Sequence, residues 1–205
     1  MNHVITLSRE LGSGGNQVAQ ELSKRLDIPY YDNEIISKTA EHSGLPQEHL
    51  NKRDEKKPNS FLYSIANARL AGAGNPTLAL NDIIYDDNAF LYTSETIKRL
   101  AATPCIIVGR CGDYILRNKP IIKIFVCAEI DDRIKRISES MELSEKNALK
   151  LIQKTDKRRA AYYNSYTDRN WGKASNYHIT INTSLLGIEK SVDVLEKFVL
   201  SYSEK

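Results

Sequence analysis

The sequence has little of what marks several whole classes of protein. Its 205 residues include only 3 cysteines, 10 glycines and 6 prolines, which excludes a disulfide-dense miniprotein and a collagen-like chain. No stretch approaches the roughly 18 consecutive apolar residues of a membrane-spanning helix. Neither sign of charge dominates, because 29 Lys and Arg stand against 26 Asp and Glu, leaving a net charge of +3. This balance argues against a nucleic-acid coat or a membrane-surface protein.

What remains is an ordinary globular composition, with 41% hydrophobic and 27% charged residues. A chain of this length forms one domain, with or without small insertions, and buries roughly 70% of its unfolded surface. The short apolar run at residues 1–7 gives way to Arg9, which predicts a first strand rather than a signal peptide. The odd cysteine count without metal-like spacing predicts reduced thiols in a cytoplasmic protein.

Strand-like and helix-like segments alternate along the chain. Apolar runs at 105–109 and 121–127 have the continuous character of buried parallel strands. Shorter β-rich segments stand at 4–7, 28–32 and 178–182. This alternation predicts an α/β fold, in which helices cover both faces of a mostly parallel, five-stranded sheet.

The remaining regions are mostly helical in pattern. Residues 61–103 are interrupted at 71–76 and predict two or three helices. Residues 131–151 and beyond predict one long, charged helical region, and 188–199 predict a terminal amphipathic helix. The charged segment 51–60 predicts a solvated loop.

A glycine-rich turn lies between the first strand and the first helix. Backbone N–H groups in such a turn, together with the helix N-terminus, hold a phosphate well, and glycine permits its close approach. We therefore predict that the phosphate-binding loop comprises Gly12, Ser13, Gly14, Gly15 and Asn16.

Two phosphate-binding patterns compete for this loop. The dinucleotide-binding pattern G-x-G-x-x-G finds Gly12 and Gly14 but has Gln17 at its third glycine. Asp32 stands about twenty residues on, where that pattern places a ribose-binding acid. The P-loop pattern G-x-x-x-x-G-K-[ST] aligns its first glycine with Arg9, its last with Gly14 and its lysine with Gly15. The loop alone does not decide between them.

The second half of the chain resembles bacterial cytidylate kinases. The matching segment is residues 105–137, with Gly109-Arg110, the strand 123–126 and the arginines Arg133 and Arg136 in register. The chain is still more similar to the cytidylate-kinase-like family, whose signatures it matches at Ser8–Gly15 (SRELGSGG), Gly109-Arg110-Cys111, Tyr162-Tyr163 and Trp171-Gly172. The resemblance covers nearly the whole chain.

This resemblance implies a single domain of the P-loop kinase type over residues 1–205, with a helical acceptor-binding insert at 31–103 and a lid at 130–176. It implies transfer of the γ-phosphate of ATP to a nucleoside monophosphate, CMP or dCMP by similarity, or to a similar small phosphate acceptor. ATP and Mg²⁺ would be its cofactors and small nucleotides its partners. We expect neither nucleic acid nor membrane as a partner, and a homodimer is compatible with the sequence.

Phosphoryl transfer needs cations around the transferred group, and the resemblance supplies candidates for them. Arg9 is the expected substitute for the missing lysine, because a guanidinium binds phosphate through two parallel hydrogen bonds. The expected catalytic residues are Arg9, Arg110, Arg133 and Arg158, with Arg136 and Arg159 as further lid candidates. The expected acceptor-binding residues are Asp32, Lys38 and Arg110. Ser13 or Asn16 is expected to contribute to a Mg²⁺ site.

Each candidate also has a purely structural alternative. Arg9 would pair with an acid such as Asp32 and only brace the loop, and Arg110 would form a structural ion pair. Asp32 would cap the helix that starts at Asn33. The lid arginines would form a solvated helix face. The aromatic residues around Tyr162 would pack in the core or at a dimer contact instead of stacking on a base.

Departures from cytidylate kinases leave other functions open. Gly15 replaces the P-loop lysine, Cys111 replaces the Asp after Gly-Arg, and Val108 stands where an acid often helps to hold Mg²⁺. A catalytically weak or inactive nucleotide-binding protein, kept as a sensor, is the second hypothesis. A Rossmann-type dinucleotide binder is the third, and it leaves the match in the second half unexplained.

Overall fold

The computed structural model describes residues 3–53 and 76–203. Strands and helices alternate through them. In chain order they are β1 Val4–Arg9, α1 Gly15–Leu26, β2 Tyr30–Tyr31, α2 Glu34–Ser43, α3 Gln47–Arg53, α4 Pro76–Leu100, β3 Ile106–Val108, α5 Gly112–Ile115, β4 Ile121–Cys127, α6 Ile130–Met141, α7 Glu145–Thr167, β5 Ile179–Asn182 and α8 Thr183–Ser203. A short 3₁₀ turn, Ala174–Asn176, precedes β5.

The five strands form one sheet in the order β2-β3-β1-β4-β5, and every neighbouring pair is parallel. In the central strand, Thr6 lies between Ile107 and Lys123, and Arg9 lies beside Val126. The predicted α/β fold with a parallel, five-stranded sheet is confirmed. Because parallel strands end at the same edge, the segments after all five strands meet there.

Helices cover both faces of the sheet and create two apolar layers. On one face, Leu22 of α1 and Leu195 of α8 pack with Ile122 of β4, and all three are fully buried. On the other face, Ile35 of α2 and Ile97 of α4 pack with Ile107 and its neighbours. Apolar burial on both faces explains why β3 and β4 read as continuous hydrophobic runs.

The predicted long helical region after β4 consists of two helices, α6 and α7. Glu142 adopts a left-handed conformation with φ 52° and ends α6. The hydroxyl of Ser144 then accepts a hydrogen bond from the backbone N–H of Asn147 and caps α7. Leu143, between them, packs on the cluster that contains Ile137. The chain therefore changes direction between α6 and α7, and apolar residues from both helices pack in the same cluster.

Two other boundaries differ. Helix α3 runs to Arg53, which places its last turn inside the predicted loop 51–60. The terminal helix begins at Thr183, earlier than predicted, and bends at Gly187, whose φ is 73°. Within the predicted helical region 61–103, residues 76–100 form one helix, and the rest of the prediction up to residue 75 lies outside the described residues.

Two further expectations concern the cysteines and the membrane. All three cysteines are free thiols, as predicted. Burial raises the pKa of Cys105 to about 11, so this thiol stays protonated and packs as a small apolar group. None of the helices in the described parts of the chain combines the length and apolar character that a bilayer crossing requires.

Replacing Leu22 with Ala tests the assignment of the core. Leu22 is fully buried between α1 and the sheet, so its truncation should lower the free energy of unfolding by about 2–5 kcal/mol, through lost burial and a residual cavity. Leu185→Ala is the matched control, because Leu185 is 81% exposed. Urea denaturation measures both variants. Equal effects of the two substitutions would contradict the packing described.

Candidate active site at the carboxyl edge of the sheet

The glycine-rich segment forms a closed loop between β1 and α1. The Glu10 carbonyl accepts hydrogen bonds from the backbone N–H of Ser13 at 3.3 Å and from its hydroxyl at 2.8 Å. Gly14 has a φ of 77°, in the left-handed region that favours glycine, and it leads into α1 at Gly15. The loop thereby presents backbone N–H groups and the positive end of a 12-residue helix at one place.

Arg9 occupies the space beside Gly15. A Cβ atom at Gly15 would lie 2.4 Å from the Cβ of Arg9 and 2.8 Å from its Cγ, closer than carbon atoms can approach. A residue with a side chain at position 15 therefore cannot coexist with Arg9 in this conformation. The sequence carries an arginine at the first position of the P-loop pattern and a glycine at its lysine position, and the structure makes these two substitutions sterically dependent on each other.

Asp32 links the loop to the strands beside it. Its carboxylate accepts hydrogen bonds from Nη2 of Arg9 at 3.1 Å, from Nδ2 of Asn16 at 2.9 Å and from Nη1 of Arg110 at 3.3 Å. The same nitrogen of Arg110 donates to the Asp32 carbonyl at 2.6 Å. Asp32, Arg9 and Arg110 are each at most 7% exposed. One buried carboxylate therefore joins two buried guanidinium groups.

This network bears on the structural alternatives for Arg9 and Asp32. The pairing of Arg9 with Asp32, considered from the sequence, is present. The capping role of Asp32 is wrong, because its carboxylate turns to the arginines while only its carbonyl accepts the N–H of Ile35. Asn33, which precedes α2, makes no side-chain cap either.

The backbone that carries Arg110 is strained. Gly109, Arg110 and Cys111 have successive φ values of 74°, 50° and 57°, and non-glycine residues in this region cost free energy. The turn places the guanidinium of Arg110 beneath the end of β3, where it also donates to the Val108 carbonyl at 3.3 Å. Such strain persists only when surrounding contacts impose it, and the contacts here are those of Arg110 with Asp32.

Arg133 braces the loop from α6. It is 6% exposed, and its Nε donates to the Leu11 carbonyl at 2.8 Å. Its guanidinium forms ion pairs with Glu10 and with Asp156 of α7. Asp156 also accepts the backbone N–H of Leu11 at 2.9 Å. Arg133 thus contacts the loop, and two acids match its charge; its expected catalytic role at the phosphates stays a prediction.

Two other arginines reach the loop. Arg136 of α6 donates from Nη1 to the Gly12 carbonyl at 3.1 Å and to the Thr183 hydroxyl at 3.0 Å. Both partners are neutral, so no carboxylate among the described residues pairs with Arg136. Arg159 of α7 donates to the Arg9 carbonyl at 3.1 Å.

An open cleft of about 590 Å³ lies between the loop and these helices, within the range of small-molecule sites. Its walls are Arg9, Glu10, Leu11, Gly12, Gly14, Gly15, Asn16, Gln17, Arg136, Ile137, Glu139, Ser140 and Arg159. Four of the five predicted loop residues, all but Ser13, line it.

Other predicted residues lie away from the cleft. Arg158 is exposed on α7, and in the described parts of the chain it forms no hydrogen bond or ion pair. Lys38 is exposed on α2, with its ammonium 6.0 Å from the centre of the Tyr31 ring. The sequence offered one signal that Arg159 contacts the loop: Asp156 and Arg159 are three residues apart and share a helix face.

The predicted magnesium ligands do not fit a metal held by the protein. Ser13 is fully buried, and its hydroxyl donates to Glu10 and accepts from Gly15. The amide of Asn16 accepts from Arg9 and donates to Asp32. Within residues 3–53 and 76–203, no three His, Cys, Asp or Glu side chains gather closely enough to hold a metal ion. A divalent cation would have to arrive on the phosphates of a nucleotide.

The aromatic cluster between α4 and α7 is packed as core. Phe90 stacks on Tyr166 with ring centres 3.9 Å apart, and Tyr162 meets both rings edge-on. Tyr163 donates a hydrogen bond of 2.7 Å to Asp113, which is 2% exposed. Burial raises the pKa of Asp113 above its ordinary value, although the bond from Tyr163 opposes the shift. These rings already have protein partners, which favours packing over base stacking.

Comparison with known proteins agrees with this geometry. The model of the cytidylate kinase-like family matches residues 4–185. The chain belongs to the cytidylate kinase-like family. A curated cytidylate kinase from Staphylothermus marinus is 25% identical over 203 residues and covers 96% of each chain.

Solved structures of this family's fold are also similar. An uncharacterized protein from Eubacterium ventriosum matches with a TM-score of 0.73 and 25% identity, over 98% of this chain and 99% of that one. A shikimate kinase from Bacteroides thetaiotaomicron matches with a TM-score of 0.56 and 13% identity, over 97% and 99% of the two chains. The second likeness concerns the fold alone, which this chain shares with that shikimate kinase.

Replacing Asp32 with Asn tests the central network. The substitution leaves two buried guanidinium groups without their shared carboxylate, which should lower the free energy of unfolding by about 3 kcal/mol. Asp27→Asn is the matched control, because Asp27 is exposed, left-handed at φ 51°, and tolerant of asparagine. Thermal unfolding measures both. A stable Asp32→Asn variant would contradict the account.

Asp113 should impose a pH dependence on stability. An acid whose pKa is raised by folding binds its proton more tightly in the folded state. The stabilisation that the protonated carboxyl group gives the folded state is therefore lost as the pH rises from 3.8, its ordinary pKa, through the raised pKa of Asp113. Asp113→Asn keeps an acceptor for Tyr163 but cannot ionise. The free energy of unfolding of the wild type should fall relative to that of this variant across that pH window. Measurements from about pH 3 to 8 cover the pKa values that carboxyl groups reach in folded proteins. A difference in free energy of unfolding that stays constant over this range would contradict the burial of Asp113.

Proposed function

We propose that this protein is a phosphotransferase that moves the γ-phosphate of ATP to a nucleoside monophosphate or a similar small phosphate acceptor. CMP and dCMP are the first candidates, since the family and the Staphylothermus marinus relative carry the cytidylate kinase name. The observation that carries the proposal is the exchange at the loop, where Arg9 takes the space beside Gly15. An arginine therefore lines the cleft beside the glycine loop, where the sequence lacks the P-loop lysine.

The cradle and its surroundings suit a polyphosphate. The loop offers backbone N–H groups and a helix N-terminus, which favour anions. Arg136, whose partners are neutral oxygens, faces the same cleft. Arg159 contributes a second guanidinium from α7. Charge-assisted hydrogen bonds from arginine are strong and directional, so this set favours a ligand with several phosphate oxygens.

The step itself needs no covalent enzyme intermediate. A phosphate oxygen of the acceptor bonds to the γ-phosphorus while the bond from that phosphorus to the β,γ-bridging oxygen breaks and ADP leaves. The protein's task is to align the two phosphates and to offset the charge that spreads over the transferred group. In this proposal Arg9 and the loop hold the donor phosphates, and Arg110 with Asp32 holds the acceptor. A Mg²⁺ ion that arrived on the nucleotide phosphates would supply further charge neutralisation.

The acceptor side and the lid complete the proposal. Residues 31–103 would bind the acceptor, and Lys38 would reach its phosphate by a change of rotamer from its exposed position on α2. Residues 130–176 would close over the phosphates and exclude water. The braces from Arg133 and Arg159 to the loop couple that region to the cradle.

One observation favours a second candidate, a nucleotide-binding protein with little or no turnover. Asp32 pairs with both Arg9 and Arg110. The amide of Asn16 accepts a hydrogen bond from Arg9 and donates one to Asp32. A ligand phosphate would have to compete with this network. Both candidates predict nucleotide binding, but only the first predicts phosphate transfer, so a transfer assay separates them.

Moving the cation back to its usual place tests the role of Arg9. Arg9→Gly should lower phosphate transfer by about 10²-fold or more, since a charge that stabilises the transition state is lost. Arg9→Gly with Gly15→Lys restores the first glycine and the lysine of the P-loop pattern, and it should recover part of the lost rate. Gly15→Lys alone should not support transfer, because the Cβ atom of the new lysine would lie 2.4 Å from the Cβ atom of Arg9. Failure of the double variant, if folded, would contradict the exchange.

An acceptor panel tests the proposed reaction. The protein is incubated with Mg²⁺, γ-labelled ATP and each ribo- and deoxynucleoside monophosphate, and labelled diphosphate is measured. We expect transfer to one acceptor, and Arg110→Ala should reduce it by about 10²-fold. Lys150→Gln, at an exposed position on α7, is the control. ATP that raises the melting temperature without transfer to any acceptor would support the second candidate and contradict the first.

A further inference from the structure

A second cavity lies at the amino edge of the sheet, away from the glycine loop. It has a volume of about 250 Å³ and is lined by Arg117, Lys119, Pro120, Ile121, Lys123, Arg169, His178 and Tyr202. Ile121 pairs with Val4 at the start of β1, whereas Val126 pairs with Arg9 at its end. Five residue steps along β4 therefore separate the cavity from the loop, roughly 17 Å at the rise of a parallel strand.

The lining of this cavity is strongly basic. Four of its residues carry a positive charge and none carries a negative one. Within the described parts of the chain, none of the four forms an ion pair, and Lys119 donates only to the neutral carbonyl of Ala101, at 3.1 Å. Asp113, a buried acid that takes a hydrogen bond from Tyr163, attracts Lys123 and Arg169 but does not line the cavity. Within the lining itself, the four cations therefore lie together with no carboxylate among them.

Aromatic contacts hold the arginine heads in place. The guanidinium carbon of Arg117 lies 4.2 Å from the centre of the Tyr114 ring, and that of Arg169 lies 5.7 Å from the same centre. On the other wall, His178 stacks on Tyr202 with ring centres 5.7 Å apart and planes 22° apart. Stacking on an aromatic ring limits the motion of a guanidinium. Nη1 of Arg117 also donates to the Tyr114 carbonyl at 2.9 Å, which leaves its other N–H groups for a ligand. The cavity is thus preorganised to donate hydrogen bonds to an anion.

We propose that this cavity is a second anion site, which binds the phosphate group of a small ligand outside the catalytic cleft. Four converging cations lower their mutual repulsion when an anion enters, and a guanidinium matches phosphate oxygens in pairs. The volume suits phosphate or pyrophosphate with a small organic part. A small ligand is favoured over a nucleic acid because the basic groups surround a concavity instead of extending along a face.

His178 provides a site-specific readout. Burial and the neighbouring ammonium of Lys123 lower the pKa of His178; the other groups facing the ring are Tyr202 of α8 and, across the cavity, the cations named above. A bound phosphate should stabilise the imidazolium and raise this pKa. The ring is one of four histidines in the chain, so His178→Gln identifies its NMR signal.

The experiment is a pH titration of the histidine signals, with and without inorganic pyrophosphate. We expect pyrophosphate to raise the pKa of His178 in the full chain, and Arg117→Gln with Arg169→Gln to weaken its binding at least tenfold. Lys146→Gln with Lys150→Gln removes the same charge from exposed positions on α7 and should change nothing. Inorganic phosphate, ATP and a single-stranded oligonucleotide are titrated in parallel, to distinguish a free anion, a phosphate on a small organic ligand and a nucleic acid.

Three outcomes would overturn the proposal. They are an unchanged His178 pKa at saturating pyrophosphate, an undiminished response in the Arg117 and Arg169 double variant, and a response to a single-stranded oligonucleotide without one to pyrophosphate. Because the readout lies at the amino edge of the sheet, none of them depends on whether the loop transfers phosphate.

Discussion

The carboxylate of Asp32, held between the guanidinium groups of Arg9 and Arg110, is the interaction on which this site depends. These residues stand at or just after the carboxyl ends of β2, β1 and β3, which are neighbours in the sheet. Burying ions is costly unless they are paired, so the three strand ends must keep their relative positions. Parallel pairing supplies that register, and the strained backbone at Arg110 is tolerated because it completes the network.

The shape of the glycine loop depends on the same arrangement of strand ends. Arg9 fills the space that a side chain at Gly15 would need, and helices α6 and α7 brace the loop through Arg133, Arg136 and Arg159. Little of the cradle therefore has to be ordered when a phosphate arrives. Catalysts of phosphoryl transfer act mainly through such positioning. A kinase with its phosphate-binding cation on β1, instead of on α1 at the position of the P-loop lysine, would position the phosphates from a different element.

The sheet was predictable because burial on both faces leaves apolar runs in the sequence, as in β3 and β4. The break between α6 and α7 was not, since helical spacing continues across Glu142 and the turn depends on where Leu143 packs. Arg9 followed from the P-loop pattern. That Arg159, and not Arg158, contacts the loop depends on how α7 docks, which helical periodicity alone does not specify. The basic cavity joins residues from separate segments, so no local pattern reveals it.

The central claim is that Arg9 does the work of the P-loop lysine, and a crystal structure with a non-hydrolysable ATP analogue and Mg²⁺ tests it most directly. The account predicts the guanidinium of Arg9 within hydrogen-bond distance of the β- or γ-phosphate, with the triphosphate on the backbone of the glycine loop. Phosphates bound in the cleft by the other arginines, with Arg9 still turned wholly to Asp32, would contradict it.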